Sequence, residues 1–133
     1  ALVSGDAAAL AEELESVLLN CASFHDLASE NSYHMLMMGL LFNVPGYGAP
    51  VSNREAGRGR FDVQLTPVDP ARDPLITLEL KHAAQGADLE PAARQALAQI
   101  DERAYDVAAG AAGSIRYGIA FAGKSVAVAC ETA

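Results

Sequence analysis

The sequence is short of the residues that several classes of protein need. Of its 133 residues, 9 are Lys or Arg and 17 are Asp or Glu, so the formal net charge is -8. Extended, non-specific nucleic-acid binding relies on clustered basic residues, and this balance opposes it. The two cysteines, Cys21 and Cys130, form neither a spaced metal motif nor a disulfide framework. The histidines are scattered, and no nucleophilic Ser or Cys stands beside a base, so nothing supports a small-molecule enzyme.

Long apolar runs are missing as well. The richest, Met35 to Phe42, is much shorter than the roughly 18 residues that a membrane-spanning helix needs. The start of the chain carries acidic residues and no Lys or Arg, unlike a signal peptide. We therefore expect a cytoplasmic protein with reduced cysteines and no membrane partner. Because the chain begins without Met, we also expect it to be a piece of a longer protein.

The composition that is present suits one compact domain spanning residues 1–133. Hydrophobic residues make up 51% of the chain and charged residues 20%, which argues against disorder. Apolar periodicity and turn signals predict the order α, α, β, β, β, α, β, β. The predicted helices run from the Asp6 cap to Asn20, from Phe24 to Phe42 and from the Asp88 cap to Ala109. The predicted strands are Tyr47 to Asn53, Arg58 to Pro67, Leu75 to His82, Ile115 to Phe121 and Ser125 to Cys130.

Two neighbouring strands carry charges in an apolar setting. Side chains alternate between the faces of a strand, so Asp62 shares a face with Gln64 and Thr66. By the same rule Glu79 shares a face with Lys81. If the two strands pair as a hairpin, both carboxylates and the ammonium meet over an apolar floor. Charges on a half-buried surface are costly unless they pair or bind a metal, so this hairpin is the candidate site.

Carboxylates from adjacent strands are hard oxygen ligands that suit Mg²⁺ or Mn²⁺. Asp62 and Glu79 would bind the ion, with the main-chain carbonyl of Leu80 as a neutral third ligand. Such an ion lowers the pKa of bound water and polarises a phosphate oxygen, and Lys81 would orient the attacking water. Glu30 adds a carboxylate if its helix packs on this face of the sheet. The alternative is a cross-strand pair of solvent-facing charges, because this spacing occurs by chance in many chains.

Three of the nine basic residues fall within a span of seven positions just before Asp62: Arg54, Arg58 and Arg60. Arginine matches phosphate geometry, and the glycines between these residues let a backbone approach a ligand. A nucleic-acid-binding patch is one interpretation. A solvated loop is the other.

Several segments taken together resemble the PD-(D/E)xK nuclease superfamily, and more narrowly the nuclease-like domain at the C-terminus of bacterial AAA-ATPase-like proteins. The segments are Glu-Asn-Ser-Tyr-His (Glu30 to His34), Ser-Asn-Arg-Glu-Ala-Gly-Arg-Gly-Arg-Phe-Asp (Ser52 to Asp62), Leu-Glu-Leu-Lys (Leu78 to Lys81), Ala-Leu-Ala-Gln-Ile (Ala96 to Ile100) and Tyr-Gly-Ile-Ala-Phe (Tyr117 to Phe121). The combined set is specific, although each motif alone is not.

The resemblance implies an α/β fold with a restriction-endonuclease-like core, in which a central mixed β-sheet ordered α-β-β-β-α-β is flanked by helices. It implies that Asp62 and Glu79 bind divalent metal and that Lys81 supports the nucleophile. It also implies that Glu30 assists from the first core helix and that Gln99 lies near the site. Relatives with Gln-x-x-x-Tyr in that helix differ from this chain, where Tyr105 is six positions after Gln99.

The implied activity is metal-dependent hydrolysis of phosphodiester bonds in nucleic acid, with DNA as the expected substrate. The implied partner is an ATPase-like region of the same parent chain, and a homodimer is left open. The competing hypothesis is a catalytically silent nuclease-fold module that binds or assembles beside an ATPase. The acidic total charge motivates that alternative.

Overall fold

The helices and strands follow one another along the chain in the predicted order. A computed structural model describes residues 2–20, 30–55, 60–84, 86–103 and 110–132, and the side chains of 30–32, 53–55, 60–61 and 101–103 lie outside that description. The elements are α1 (Ala7–Asn20), α2 (Glu30–Leu41), β1 (Val51–Glu55), β2 (Arg60–Leu65), β3 (Leu75–His82), α3 (Leu89–Arg103), β4 (Ser114–Ala122) and β5 (Ser125–Thr132). The predicted start of the second helix and end of the third fall outside the described residues.

The five strands form one sheet in the order β1-β2-β3-β4-β5. Strands β3 and β4 pair in parallel, whereas the other three pairs are antiparallel. A parallel pair needs a long crossover, and α3 supplies it. The expected mixed sheet flanked by helices is therefore confirmed.

Helices α1 and α2 cover one face of the sheet. The face that they cover carries apolar side chains at alternate positions of the three central strands, and these form the main core. The members of that core on the strands are Val63, Leu65, Ile76, Leu78, Leu80, Ile115, Tyr117, Ile119, Phe121 and Val126. Leu10, Leu14 and Leu18 of α1, spaced by four, pack onto it.

Helix α2 is fixed to this face by an aromatic anchor. The Tyr33 hydroxyl donates a hydrogen bond of 2.6 Å to the Gly123 carbonyl, and its ring stacks on Phe121 at 4.9 Å. The apolar sequence of α2 predicts a helix buried on all sides. Instead the buried side chains Tyr33, Met37 and Leu41 share one side, and Met35 and Leu40 are 65% and 40% exposed. Among the described residues, none of the helices has both the length and the apolar character that crossing a bilayer requires.

Helix α3 covers the opposite face, over β3, β4 and β5. Its buried side is made of small residues and one isoleucine: Ala93, Ala96 and Ile100. Gly118 of β4 lies directly beneath it, and a Cβ there would meet the carbonyl oxygen of Ala93 at 2.1 Å. The missing side chain thus lets the helix backbone touch the sheet.

Several strand boundaries differ from the sequence-based expectations: β1 and β5 end two residues later, β4 is one residue longer at each end, and two other differences fall at prolines. The first strand begins at Val51 rather than Tyr47, and the second spans Arg60–Leu65 rather than reaching Pro67. Proline lacks the amide hydrogen that a ladder needs, and Pro50 and Pro67 lie at these two ends. Tyr47 and Pro67 instead form an isolated bridge, and the Tyr47 hydroxyl donates to the Pro74 carbonyl at 2.6 Å.

Candidate functional site

Two carboxylates stand directly opposite each other at the centre of the antiparallel β2–β3 pair. The register aligns Asp62 with Glu79, which is the hairpin pairing that the sequence-based hypothesis required. Both are nearly covered, with 6% of Asp62 and 1% of Glu79 exposed. Opposite residues in an antiparallel pair have Cβ atoms about 4.5–5.5 Å apart. Two acidic groups are thus held close together in a poorly hydrated setting.

The carboxylates lie on the face that α3 covers. Gly118 is the register partner of Glu79 on β4, and it is the residue on which the α3 backbone rests. The residues paired across β2, β3 and β4 are thus Asp62, Glu79 and Gly118, and the last of them has no side chain. The close approach of α3 at Gly118 explains why Glu79 is so deeply covered.

Lys81 follows two residues after Glu79 on the same face and is partly buried. Its Nζ donates a hydrogen bond of 2.7 Å to Oε1 of Gln95 on α3. Among the described residues this is the one polar partner of the ammonium, and neither Asp62 nor Glu79 forms an ion pair with it. The structure therefore places the lysine beside the carboxylates while directing its charged end to the helix.

Gln95 is a site contact that the sequence-based prediction missed, since that prediction chose Gln99. The two glutamines are one helical turn apart, so they share a stripe of α3. The turn of α3 from Ala93 to Leu97 rests on Gly118, the register partner of Glu79, so Gln95 lies in the turn that covers this row. Gln99 is partly buried and lies one turn further along α3. Their spacing of four residues predicts that both glutamines lie on the same side of the helix, so the sequence pattern could have indicated Gln95 as well as Gln99.

A second polar row lies beside the carboxylates on the same face. Gln64 and Thr77 are opposite each other, and the Gln64 amide donates to the Thr77 hydroxyl at 3.4 Å. Arg116 continues the row on β4, with its side chain 17% exposed and 4.0 Å from Glu131. Arg116 is a cation on the carboxylate face, two residues from Gly118, and the sequence-based reasoning did not select it.

The remaining predicted carboxylate, Glu30, begins α2, and its side chain lies outside the described residues. Helix α2 packs on the face opposite the carboxylates, as the buried Tyr33 and Met37 show. The condition attached to Glu30, that its helix packs on the carboxylate face, is therefore not met. Leu80 has a fully buried side chain in the main core, so its main-chain carbonyl is the part that could reach an ion.

The predicted arginine patch lies mostly outside the described part of the chain. Arg58 falls in 56–59, and Arg54 and Arg60 are described only as backbone positions of β1 and β2. The register does place Arg60 opposite Lys81. Tyr105 also lies outside the described residues.

The donor set of the site fits a hard divalent cation in part. Asp62 and Glu79 offer carboxylate oxygens, which Mg²⁺ and Mn²⁺ prefer. Within the described ranges, no group of three or more His, Cys, Asp or Glu side chains is arranged to hold a metal. An ion at this site would therefore complete its shell with water, substrate oxygens or the main chain, which is usual for Mg²⁺.

His34 and Cys130 have structural roles within the described residues. The Nε2 atom of His34 and the hydroxyl of Ser52 share a hydrogen bond of 2.7 Å, which agrees with a partly buried, hydrogen-bonded histidine. Cys130 is a free cysteine packed against the main core, and burial raises the pKa of its thiol. Neither residue lies on the carboxylate face.

The fold and the site define an α/β protein of restriction-endonuclease-like architecture with paired acids on adjacent central strands and a lysine two positions on. The family model of the PD-(D/E)XK nuclease superfamily matches residues 28–131, so the chain belongs to that superfamily. Members of the superfamily generally use divalent metals. Comparisons with curated proteins and with solved structures returned no match.

Proposed function

We propose that this domain is a metal-dependent nuclease that hydrolyses phosphodiester bonds in nucleic acid, with DNA as its substrate. The observation that carries the proposal is the pair of buried carboxylates, Asp62 opposite Glu79, with Lys81 on the same face. Burial of two like charges side by side is costly unless a cation or a proton offsets them. A divalent ion held between them would offset that cost and would supply the Lewis acid for hydrolysis.

The ion in this proposal is Mg²⁺ or Mn²⁺. Asp62 and Glu79 would hold it through carboxylate oxygens, and the Leu80 carbonyl is the neutral ligand between Glu79 and Lys81. When bound, such an ion supplies Lewis acidity and a water of lowered pKa.

The other proposed residues act around the ion. Lys81 would orient the attacking water and offset negative charge that grows on the phosphate. Gln99 would assist from α3, on the carboxylate face, whereas Glu30 begins a helix on the other face of the sheet and is given no role at the ion. Arg54, Arg58 and Arg60 would contact backbone phosphates, which position a nucleic acid without reading its sequence.

Cleavage of DNA and RNA in the presence of Mg²⁺ or Mn²⁺ tests the proposal. We expect the wild type to cut DNA, and Glu79→Ala and Lys81→Ala to lower the rate by about a hundredfold or more, as loss of electrostatic stabilisation typically does. Glu12→Ala is the matched control, because Glu12 is an exposed acid on α1, on the other side of the sheet. A wild type that is as inert as both variants on every DNA and RNA substrate would contradict the proposal.

The second candidate is a catalytically silent nuclease-fold module that binds or assembles with an ATPase-like region of a cytoplasmic parent protein. The net charge of -8 favours it, because a strongly acidic domain is repelled by nucleic acid. This candidate predicts partner binding or dimerisation that survives Asp62→Ala, with no metal-dependent cleavage. The same assays therefore separate the two.

A further inference from the structure

The position of the Lys81 ammonium is unexpected on electrostatic grounds. Two carboxylates lie on its face, one on its own strand and one diagonally across the pair, and a long side chain reaches such a diagonal neighbour. Attraction between opposite charges grows as the surroundings become less polar, and both acids are buried. The ammonium nevertheless binds a neutral amide oxygen 2.7 Å away on α3.

We infer that Gln95 is a positioning residue that holds the Lys81 ammonium against α3 and so keeps it from pairing with Asp62 and Glu79. The hydrogen bond spans the helix and the sheet, so it fixes the lysine relative to both. A glutamine suits this role because its oxygen accepts the bond without adding a third negative charge beside the acids.

The contact depends on how closely α3 lies on the sheet. The helix backbone touches β4 at Gly118, which is the register partner of Glu79. Gln95 lies between Ala93 and Leu97, whose backbone atoms make this approach, and its exposed side chain reaches Lys81 of β3.

If Gln95 holds Lys81 in this way, the hydrogen bond should favour metal binding by Asp62 and Glu79. This step rests on the proposed function. A lysine paired with Asp62 and Glu79 would compete with a divalent cation for the same oxygens. Held by Gln95, the ammonium does not compete with the ion for those oxygens. Lys81 also remains on the carboxylate face, two residues from Glu79 on β3.

Amine labelling tests the position of Lys81 without metal or nucleic acid. The chain has two lysines, Lys81 and Lys124, so Lys124 in the β4–β5 turn is an internal reference. Acetic anhydride at a fixed pH acetylates both, and mass spectrometry of peptides gives the ratio of their rates. Gln95→Leu should lower the Lys81 to Lys124 ratio about twofold to tenfold, because the released ammonium pairs with carboxylates, which bind it more strongly than an amide does.

Calorimetric titration with Mn²⁺ tests the consequence. Gln95→Leu should weaken Mn²⁺ binding about threefold to tenfold relative to the wild type. The double variant Gln95→Leu with Lys81→Met should bind Mn²⁺ as Lys81→Met alone does, since no ammonium is left to compete. Arg94→Leu, at an exposed neighbouring position of α3, is the matched control and should leave both readouts unchanged.

The outcomes separate this inference from the proposed nuclease activity. An unchanged or higher labelling ratio in Gln95→Leu overturns the inference, and so does a loss of Mn²⁺ affinity that persists in the double variant. A protein that binds Mn²⁺ as described but cuts no nucleic acid leaves the role of Gln95 intact and removes only the nuclease. A wild type that binds no Mn²⁺ removes the metal consequence, and the labelling ratio still decides where Lys81 is held.

Discussion

Replacing Gly118 by alanine tests how closely α3 lies against the sheet. The added Cβ would be 2.1 Å from the carbonyl oxygen of Ala93 and 2.5 Å from the amide nitrogen of Leu97. Ordinary contact begins near 3.4 Å, and both atoms belong to the helix backbone, so the whole helix must retreat by more than about 1 Å. Overpacking of a well-packed core costs about 1–3 kcal/mol, and we expect a loss near the upper end because no flexible side chain can yield.

Gly39→Ala is the matched control, since it adds the same methyl group. Gly39 lies inside α2, is exposed, and a Cβ there has nothing within 4 Å. Alanine favours a helix interior over glycine by about 0.5–1 kcal/mol, so this variant should gain stability.

The assay is urea unfolding of both variants, with the free energy of unfolding extrapolated to water. The account predicts opposite signs, a loss for Gly118→Ala and a gain for Gly39→Ala. Retreat of α3 should also break the 2.7 Å bond between Lys81 and Gln95 and lower the labelling ratio. If Gly118→Ala stays within about 0.5 kcal/mol of the wild type, a scatter usual for surface substitutions, the close approach of helix and sheet is wrong.

Two further predictions concern stability. Asp6→Ala should cost about 1 kcal/mol, because Asp6 Oδ1 accepts a hydrogen bond of 3.1 Å from the Ala9 amide at the start of α1, and an unchanged urea midpoint would contradict this cap. Burial raises the pKa of the Tyr33, Tyr47 and Tyr117 hydroxyls, so above pH about 10 the unfolded chain loses protons that the folded chain keeps. Stability should therefore be complete below that pH and fall as pH rises through it, which urea midpoints measure. Tyrosinate absorbance at pH 10 from a folded Tyr105→Phe variant, in which these three are the remaining tyrosines, would contradict this.

Local pattern was enough to predict much of the fold. Strand β3 runs from Leu75 to His82 as the alternation and flanking prolines indicate, and α1 ends at Asn20. The β1 boundary was wrong because apolar residues before Pro50 look like a strand although they cannot extend the ladder.

Only the part of the site that lies on the β2–β3 pair was predictable from the sequence. Alternation placed Asp62 and Glu79 on one face, and the hairpin register then aligned them. The face on which a helix packs depends on tertiary contacts. The sequence pattern therefore could not predict that α2 packs on the face opposite the acids. Gln95 was missed because helical spacing offers Gln95 and Gln99 equally, and the approach of α3 to the sheet decides which one meets Lys81.

Titration with a divalent metal decides whether the buried pair Asp62 and Glu79 binds an ion. Calorimetric titration of Mn²⁺ into the wild type, Asp62→Asn and the control Glu12→Gln is the measurement. The account predicts binding by the wild type and the control, and loss of the heat in Asp62→Asn, because the amide keeps the shape of the side chain without its charge. Binding that is unchanged in Asp62→Asn, or no binding to the wild type, would contradict a metal site between Asp62 and Glu79.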